Sequence, residues 1–360
     1  MKKIKPKILR PGSRIAAISL SWGGPGTLLY RYEIGKRQLE EEFGVTVIET
    51  AHALREADWL AKNPEARADD LMTAFADKTI DGIISTIGGE DSIRTLPYLD
   101  LDLIRKNPKI FMGFSDTTIT HAACFKAGIV SFYGPSFMAG FAENGGMFPY
   151  MTDSVRRTLF AAEPIGVIEP NQAGWTVEHL PWENPENQSI PRKLNPCTGW
   201  RFHQNEGVVE GQLFGGCVEV LDWLRGTDYL SAAGDLQGTV LFLETSEEAP
   251  PPSFLTRFVR CIAAMGILEG LNGILLGRPG GGVDPHTFGE YDDALCKAVR
   301  EEHGLNDMPI VTNMDFGHTD PMCVIPMGTT VRIDSAKREI AIDEAAVLED
   351  SHKKISRGTQ

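Results

Sequence analysis

The chain has 360 residues, more than one ordinary hydrophobic core accommodates, so we expect two domains. Hydrophobic residues make up 42% of it and charged residues 23%, which is typical of globular proteins. The net charge of −14 argues against a surface that binds nucleic acid polymers, and no apolar run approaches the ~20 residues of a membrane span.

The six cysteines are scattered without a CxxC pair, which favours free thiols in a reducing compartment over disulfides or a zinc site. The N-terminus is basic and then apolar, but Pro6, Pro11 and Gly12 interrupt it. We therefore predict a first strand rather than a signal peptide, and a cytoplasmic location.

Strand and helix patterns alternate through residues 1–165, which we predict to form an N-terminal Rossmann-like domain. Predicted strands cover 14–20, 45–50, 80–89, 109–114 and 129–135, and predicted helices cover 29–43, 64–77 and 117–128. Repeated βα units indicate a parallel sheet covered by helices.

The alternation stops at residues 166–205, which are rich in Pro, Asn, Glu and Trp. We predict a linker and substrate loop there, because long loops are often functional. Residues 206–360 then form a smaller, β-rich α/β domain. Its predicted strands cover 238–244, 273–279 and 309–318, followed by a hairpin at 329–342, and the last ten residues are expected to fray.

Ser115 follows the apolar run KIFMGF and precedes a helix, in the sequence Gly-Phe-Ser-Asp-Thr. A serine at such a corner has the placement of a nucleophile elbow, although the second glycine of GxSxG is missing. The alternative is that Ser115 or Asp116 caps the following helix.

Two further strand ends carry reactive side chains: Glu244 closes an apolar strand, and His318 follows Gly317 in FGHTDP. Ligands of open α/β sheets bind at the carboxyl ends of strands, so these residues and Ser115 are candidates for a Ser-His-Glu triad. The backbone N–H groups of Asp116, Gly88 and Gly89 are candidates for an oxyanion hole. No metal-ligand spacing is present, and we expect no metal and no cofactor.

The chain resembles the LD-carboxypeptidase family of serine peptidases over about residues 14–345. The resemblance is carried by IGGEDSIRTLPYLDLDLIRKNPKIFMGFSDTT, YGPSF, FGGCVEVLDWLRGTDYL, GTVLFLETSEEAP, GILLGRP and FGHTDPMCVIPMG. It implies catalytic roles for Ser115, Glu244 and His318, an active site between the two domains, no cofactor, and a homodimer.

The resemblance implies two branches, one that trims murein tetrapeptides and one that confers microcin C self-immunity by cleaving aminoacyl-nucleotide compounds. Two features favour the second branch: Glu90 in GGED, and a long insert that contains Trp175 and Trp182. Trp182 is the better candidate to stack on a nucleobase, whereas Trp175 is expected to anchor the loop. Cys217 stands where the family has Asn, close to the substrate; as an alternative nucleophile it lacks a basic neighbour.

We therefore expect a serine hydrolase that cleaves the amide bond of a small peptide or aminoacyl-nucleotide, with Glu90, Trp182 and Cys217 as substrate contacts. The alternatives are a murein tetrapeptide LD-carboxypeptidase and a non-catalytic ligand-binding homologue. A complete set of Ser115, Glu244 and His318 argues against the last of these, because a binding protein has no use for all three at strand ends.

Overall fold

The computed structural model describes residues 2–203, 206–230 and 233–349, so the predicted fraying tail lies outside the described residues. Its strands form one six-stranded and one eight-stranded sheet. The strands are β1 (Arg14–Ile18), β2 (Thr46–Glu49), β3 (Gly82–Ser85), β4 (Ile110–Gly113), β5 (Ser131–Tyr133), β6 (Gly166–Val167), β7 (Arg201–Phe202), β8 (Val208–Cys217), β9 (Thr239–Glu244), β10 (Gly273–Gly277), β11 (Ile310–Met314), β12 (Ile325–Met327), β13 (Thr330–Asp334) and β14 (Glu339–Ile342).

Helices connect and cover these strands. They are α1 (Gly24–Thr27), α2 (Leu29–Phe43), α3 (Ala57–Lys62), α4 (Pro64–Ala76), α5 (Leu101–Lys106), α6 (Thr118–Ala127), α7 (Pro149–Leu159), α8 (Val218–Trp223), α9 (Pro252–Ala264) and α10 (Phe288–Cys296). Within the described ranges, no helix is long and apolar enough to cross a membrane.

The six-stranded sheet confirms the predicted parallel architecture of the N-terminal part. Its order is β12-β5-β4-β3-β1-β2, and β1 to β5 run parallel. Strands β3 and β4 are buried along their whole length, as parallel strands covered by helices are. The outer strand β12 comes from the C-terminal part of the chain and pairs antiparallel with β5.

The eight-stranded sheet is mixed, with the order β6-β14-β13-β8-β9-β10-β11-β7. Its centre, β8 to β11, is parallel, and the predicted hairpin appears as the antiparallel pair β13 and β14. The predicted strand at 309–318 ends earlier, at Met314, and the residues after it form the turn that carries His318.

The segment 166–205 contributes more than a connection. It supplies β6 and β7, which lie at the two edges of the eight-stranded sheet. Between them, Trp175 and Asn195 exchange backbone hydrogen bonds of 2.9 and 2.7 Å, which close the base of the loop that we call the 175–195 loop. Trp175 is 4% exposed and packs on Phe288, so it anchors this loop as predicted.

The two sheets meet at the carboxyl ends of β4 and β8. The N–H of Cys217 donates to the Thr118 hydroxyl at 3.1 Å, and a Cβ on Gly216 would lie 2.5 Å from that same oxygen. Glycine is therefore required for this close approach. The contact brings the ends of β4 and β9 together, and the candidate site lies there.

Candidate active site

Ser115 adopts a left-handed backbone conformation, with φ of 62°, between β4 and α6. Such a conformation costs a non-glycine residue about 1–3 kcal/mol and recurs at functional sites. A Cβ on Gly88 would lie 2.9 Å from the Ser115 Cβ, so only glycine permits the neighbouring strand end to approach this closely. The Ser115 side chain makes no capping hydrogen bond, which argues against the helix-cap alternative.

Asp116 does not cap the helix either. Its fully buried carboxylate accepts hydrogen bonds from the Ser92 N–H at 2.9 Å and the Ser92 hydroxyl at 2.8 Å. Burial raises the pKa of the carboxyl group. Among the described residues, the N–H groups of Asp116, Gly88 and Gly89 have no protein acceptor, so all three remain available to a ligand oxygen.

His318 and Glu244 form a hydrogen-bonded pair. The Nδ1 atom of His318 lies 2.6 Å from Oε2 of Glu244, and the Glu244 side chain is fully buried at the end of β9. Gly317 makes this possible, because its φ is 92° and a Cβ there would lie 2.6 Å from the Glu244 Cβ. The ring of Phe114 packs on His318 with a centroid distance of 5.0 Å.

Tyr133, which the sequence analysis did not single out, connects Glu244 to the nucleophile candidate. Its hydroxyl accepts from the Ser115 N–H at 2.9 Å and donates to Oε1 of Glu244 at 2.5 Å. Burial and the Glu244 charge raise the pKa of this phenol well above its usual value, so it stays protonated and donates. The available signal was the placement of Tyr133 at the end of β5, which pairs with β4.

Glu247, which the sequence analysis did not single out, also contacts the imidazole. Its Oε2 lies 3.0 Å from Nε2 of His318, although the Glu247 side chain is 72% exposed. Burial lowers the pKa of His318, but Glu244 and Glu247 raise it more, to about 10. Among the described residues, no hydrogen bond joins Ser115 to His318 in this state.

A cavity of about 750 Å³ lies between the two parts of the chain. Its wall includes Ser115, Gly88 and Gly89 from the N-terminal part, together with His318 and Glu247 from the C-terminal part. This volume lies within the range of ~300–1,000 Å³ found for small-molecule sites.

The three predicted substrate contacts are placed differently. Trp182 lines the cavity, and the guanidinium carbon of Arg31 lies 4.6 Å from its ring centroid. Glu90 is exposed and lies outside the wall. Cys217 is buried behind the wall with its thiol on Glu219, and burial raises the pKa of that thiol far above its usual value. Direct contact of the substrate with Glu90 or Cys217 therefore remains a prediction.

The 175–195 loop is tied to the rest of the cavity wall by charged groups. Arg192 donates to Glu143 at 2.8 Å and to Asp320 at 2.7 Å, which joins the loop to both parts of the chain. Arg31 donates to the Met138 carbonyl and to Gln188 of the loop. Among the described residues, no cluster of His, Cys, Asp and Glu has the arrangement of a metal site.

Both parts of the chain match an LD-carboxypeptidase domain: residues 15–134 match the N-terminal domain of the family, and residues 210–333 match the C-terminal domain. The chain belongs to the LD-carboxypeptidase family and is a serine peptidase of that family.

The relatives include proteins named as carboxypeptidases and proteins named for microcin C self-immunity. The putative carboxypeptidase YocD of Bacillus subtilis is 30% identical over 81% of this chain and 84% of its own length. The microcin C7 self-immunity protein MccF of Escherichia coli is 29% identical over 77% of this chain and 78% of its own. The crystal structure of an MccF-like protein from Streptococcus pneumoniae in complex with AMP is 32% identical, with a TM-score of 0.83 over 92% of this chain and 99% of that one.

Proposed function

We propose that this protein hydrolyses the amide bond of aminoacyl-nucleotide compounds, with Ser115 as nucleophile, His318 as general base and Glu244 as the carboxylate that orients His318. The observation that carries the proposal is one cavity whose wall holds the strained Ser115, the indole of Trp182 and His318, with the buried Glu244 hydrogen-bonded to His318 behind the wall. The AMP bound to the Streptococcus pneumoniae relative supports a nucleotide as part of the ligand.

In the proposed reaction the Ser115 Oγ attacks the scissile carbonyl carbon while its proton passes to Nε2 of His318. Glu244 holds the Nδ1–H and stabilises the imidazolium. The carbonyl electrons collect on the oxygen, where the free N–H groups of Asp116, Gly88 and Gly89 stabilise the charge. His318 then protonates the leaving nitrogen, and water, deprotonated by the same imidazole, releases the acyl group from Ser115.

The test compares turnover by the wild-type protein and by the Ser115→Ala variant. The substrates are an aminoacyl sulfamoyl adenosine and a murein tetrapeptide. We expect the adenosine compound to be cleaved by the wild type and the Ser115→Ala rate to fall by roughly 10⁴-fold or more, as loss of a serine nucleophile does in triad enzymes. Unchanged turnover in Ser115→Ala overturns the mechanism. Cleavage of the tetrapeptide alone shows that the substrate is a cell-wall peptide and not an aminoacyl-nucleotide.

A second prediction concerns Trp182, whose indole is held in place on the cavity wall by Arg31. Stacking of a nucleobase on an aromatic side chain contributes about 1–3 kcal/mol, so Trp182→Ala is expected to raise KM for the adenosine compound by roughly 5- to 150-fold. The control is Trp223→Ala, which removes an indole that is 38% exposed and lies outside the wall. An equal effect of Trp182→Ala on the adenosine compound and on the tetrapeptide contradicts stacking.

The remaining expectations belong to the same proposal. We propose that the protein is a homodimer. We also propose that it is located in the cytoplasm, which the six free cysteines support because thiols persist in reducing compartments. We also keep 1–165, 166–205 and 206–360 as the proposed division of the chain. Light scattering after size exclusion measures the mass, for which one protomer contributes 39.5 kDa, and cell fractionation tests the compartment.

A further inference from the structure

The imidazole of His318 lies between two carboxylates of different character. Glu244 holds Nδ1 at 2.6 Å and is fully buried, so it is fixed by its surroundings. Glu247 holds Nε2 at 3.0 Å, but its side chain is 72% exposed and belongs to a turn after β9. One carboxylate is therefore part of the rigid framework, whereas the other is free to leave.

A carboxylate beside each ring nitrogen favours the imidazolium form of His318, in which both nitrogens carry a proton. The charged groups that act on the ring are Glu244 from β9 and Glu247 from the following turn; the other contacts are the Phe114 ring and the backbone near Gly280. Burial lowers the pKa of His318, but the two carboxylates raise it more, to about 10. A protonated Nε2 cannot accept the Ser115 proton, so Glu247 has to leave before the reaction proceeds.

Among the described residues that line the cavity, apart from the histidines, only Arg31 and Arg192 carry a positive side chain, and both already make other hydrogen bonds. Its carboxylates outnumber its guanidinium groups, with Glu143, Glu178, Glu183, Glu247 and Asp320 against Arg31 and Arg192. Arg192 is already bound to Glu143 and Asp320, and Arg31 is bound to the loop through Gln188. We therefore expect the positive charge that draws Glu247 from His318 to come from the ligand.

An aminoacyl group brings such a charge to the required place. Its α-nitrogen is bonded to the carbon next to the scissile carbonyl, so it lies ~2.5 Å from the carbonyl carbon. With that carbon about 3 Å from the Ser115 Oγ in a reactive complex, the ammonium lies within reach of a carboxylate that already contacts Nε2 of His318.

We propose that Glu247 is a specificity-determining residue that selects acyl groups with a free α-ammonium, because this ammonium takes the Glu247 carboxylate and thereby frees Nε2 of His318 for Ser115. The Nε2 proton is released to solvent in the same step. The inference rests on the proposed function and narrows its substrate class. A substrate whose α-nitrogen is acylated, such as an internal residue of a peptide, has no α-ammonium to offer.

The kinetic test uses one aminoacyl sulfamoyl adenosine in two forms, with a free and with an acetylated α-amine. We expect the wild type to prefer the free amine by about tenfold or more in kcat/KM, and Glu247→Gln to lose most of that preference through a gain on the acetylated form. The matched control is Glu248→Gln, an exposed neighbour outside the cavity wall, which keeps the wild-type preference. A preference that survives in Glu247→Gln overturns the inference.

A second measurement decides the inference even if no substrate is cleaved, and so separates its failure from that of the proposed function. The titration of His318 is followed by NMR in protein labelled at the histidine ring. We expect its pKa to fall by about one unit or more in Glu247→Gln, and in Ser115→Ala saturated with the free-amine compound but not with the acetylated one. Equal titration with both compounds contradicts selection by the α-ammonium.

Discussion

At the scale of single residues, Tyr133 connects the nucleophile candidate Ser115 to Glu244 through hydrogen bonds. It receives a hydrogen bond from the Ser115 backbone and gives one to Glu244, so one hydroxyl serves both parts of the proposed triad. A donor that accepts at the same time is required there, because Glu244 only accepts and the Ser115 N–H only donates. The tyrosine thereby holds the left-handed Ser115 turn in register with the His318–Glu244 pair.

We predict that Tyr133→Phe lowers kcat by roughly 10- to 100-fold with little change in KM. The change leaves a buried carboxylate oxygen and a partly buried N–H unpaired, and an unpaired buried polar group costs about 1–3 kcal/mol. Steady-state kinetics and urea unfolding measure the two effects. The control is Tyr291→Phe, which removes a hydroxyl that donates to the Pro250 carbonyl at 2.7 Å outside the cavity wall. An equal loss of kcat in both variants contradicts a positioning role.

At the scale of elements, Arg192 is the residue of the 175–195 loop that binds acidic partners in both parts of the chain. Arg192 of the loop binds Glu143 from the N-terminal part and Asp320 from the C-terminal part. Its side chain and that of Glu143 are nearly buried, so the pair is screened little by solvent. Trp182 lies within the same loop, and its position on the wall therefore depends on Arg192.

We predict that Arg192→Ala raises KM for the nucleotide substrate by about tenfold or more and makes the loop susceptible to proteolysis. Removing one member of a buried pair leaves the other charge uncompensated, which costs about 3–5 kcal/mol. The control is Arg201→Ala, which breaks a pair with Asp292 away from the cavity. Unchanged KM and unchanged cleavage of the loop in Arg192→Ala contradict this role.

At the scale of the whole molecule, the sequence predicted the elements that depend on local patterns. Buried parallel strands are continuous apolar runs, which is why β1 to β5 were recognised. The antiparallel hairpin of β13 and β14 was recognised from two short strand-like runs separated by a polar turn. Strand β12 was not, because it has three residues, contains Pro326 and pairs with a strand far away in the chain. A proline argues against a strand in the middle of a sheet because it has no N–H to donate, but it is tolerated in an edge strand such as β12.

The residues of the candidate site were likewise predictable only where a local sequence pattern indicated them. Ser115 and His318 were predicted as candidates because each is a reactive side chain that follows a strand, and ligands of α/β sheets bind beyond the carboxyl ends of strands. Tyr133 and Glu247 were missed because an aromatic residue in a buried strand and an acid in a polar turn are common without any function. Their roles depend on contacts across 111 residues in one case and on the conformation of a turn in the other.

The C-terminal part contributes β12 to the N-terminal sheet, and we therefore predict that the two parts unfold together. The N-terminal sheet is complete only with a strand from residues 325–327, so neither part keeps all of its pairing without the other. We expect amides of β3 and of β9 to exchange with deuterium in one cooperative opening, with the same dependence on urea. Separate transitions for the two strands contradict this prediction.

The same strand has a consequence for the synthesis of the protein. A ribosome delivers β1 to β5 early, but β12 emerges only near the end of translation. At ~5–20 residues per second the nascent N-terminal sheet waits roughly 10–40 s with β5 as an unpaired edge. Unpaired edges invite association between chains. In the cell, this interval is the one in which a chaperone that shields strand edges has the most effect on the yield of native protein.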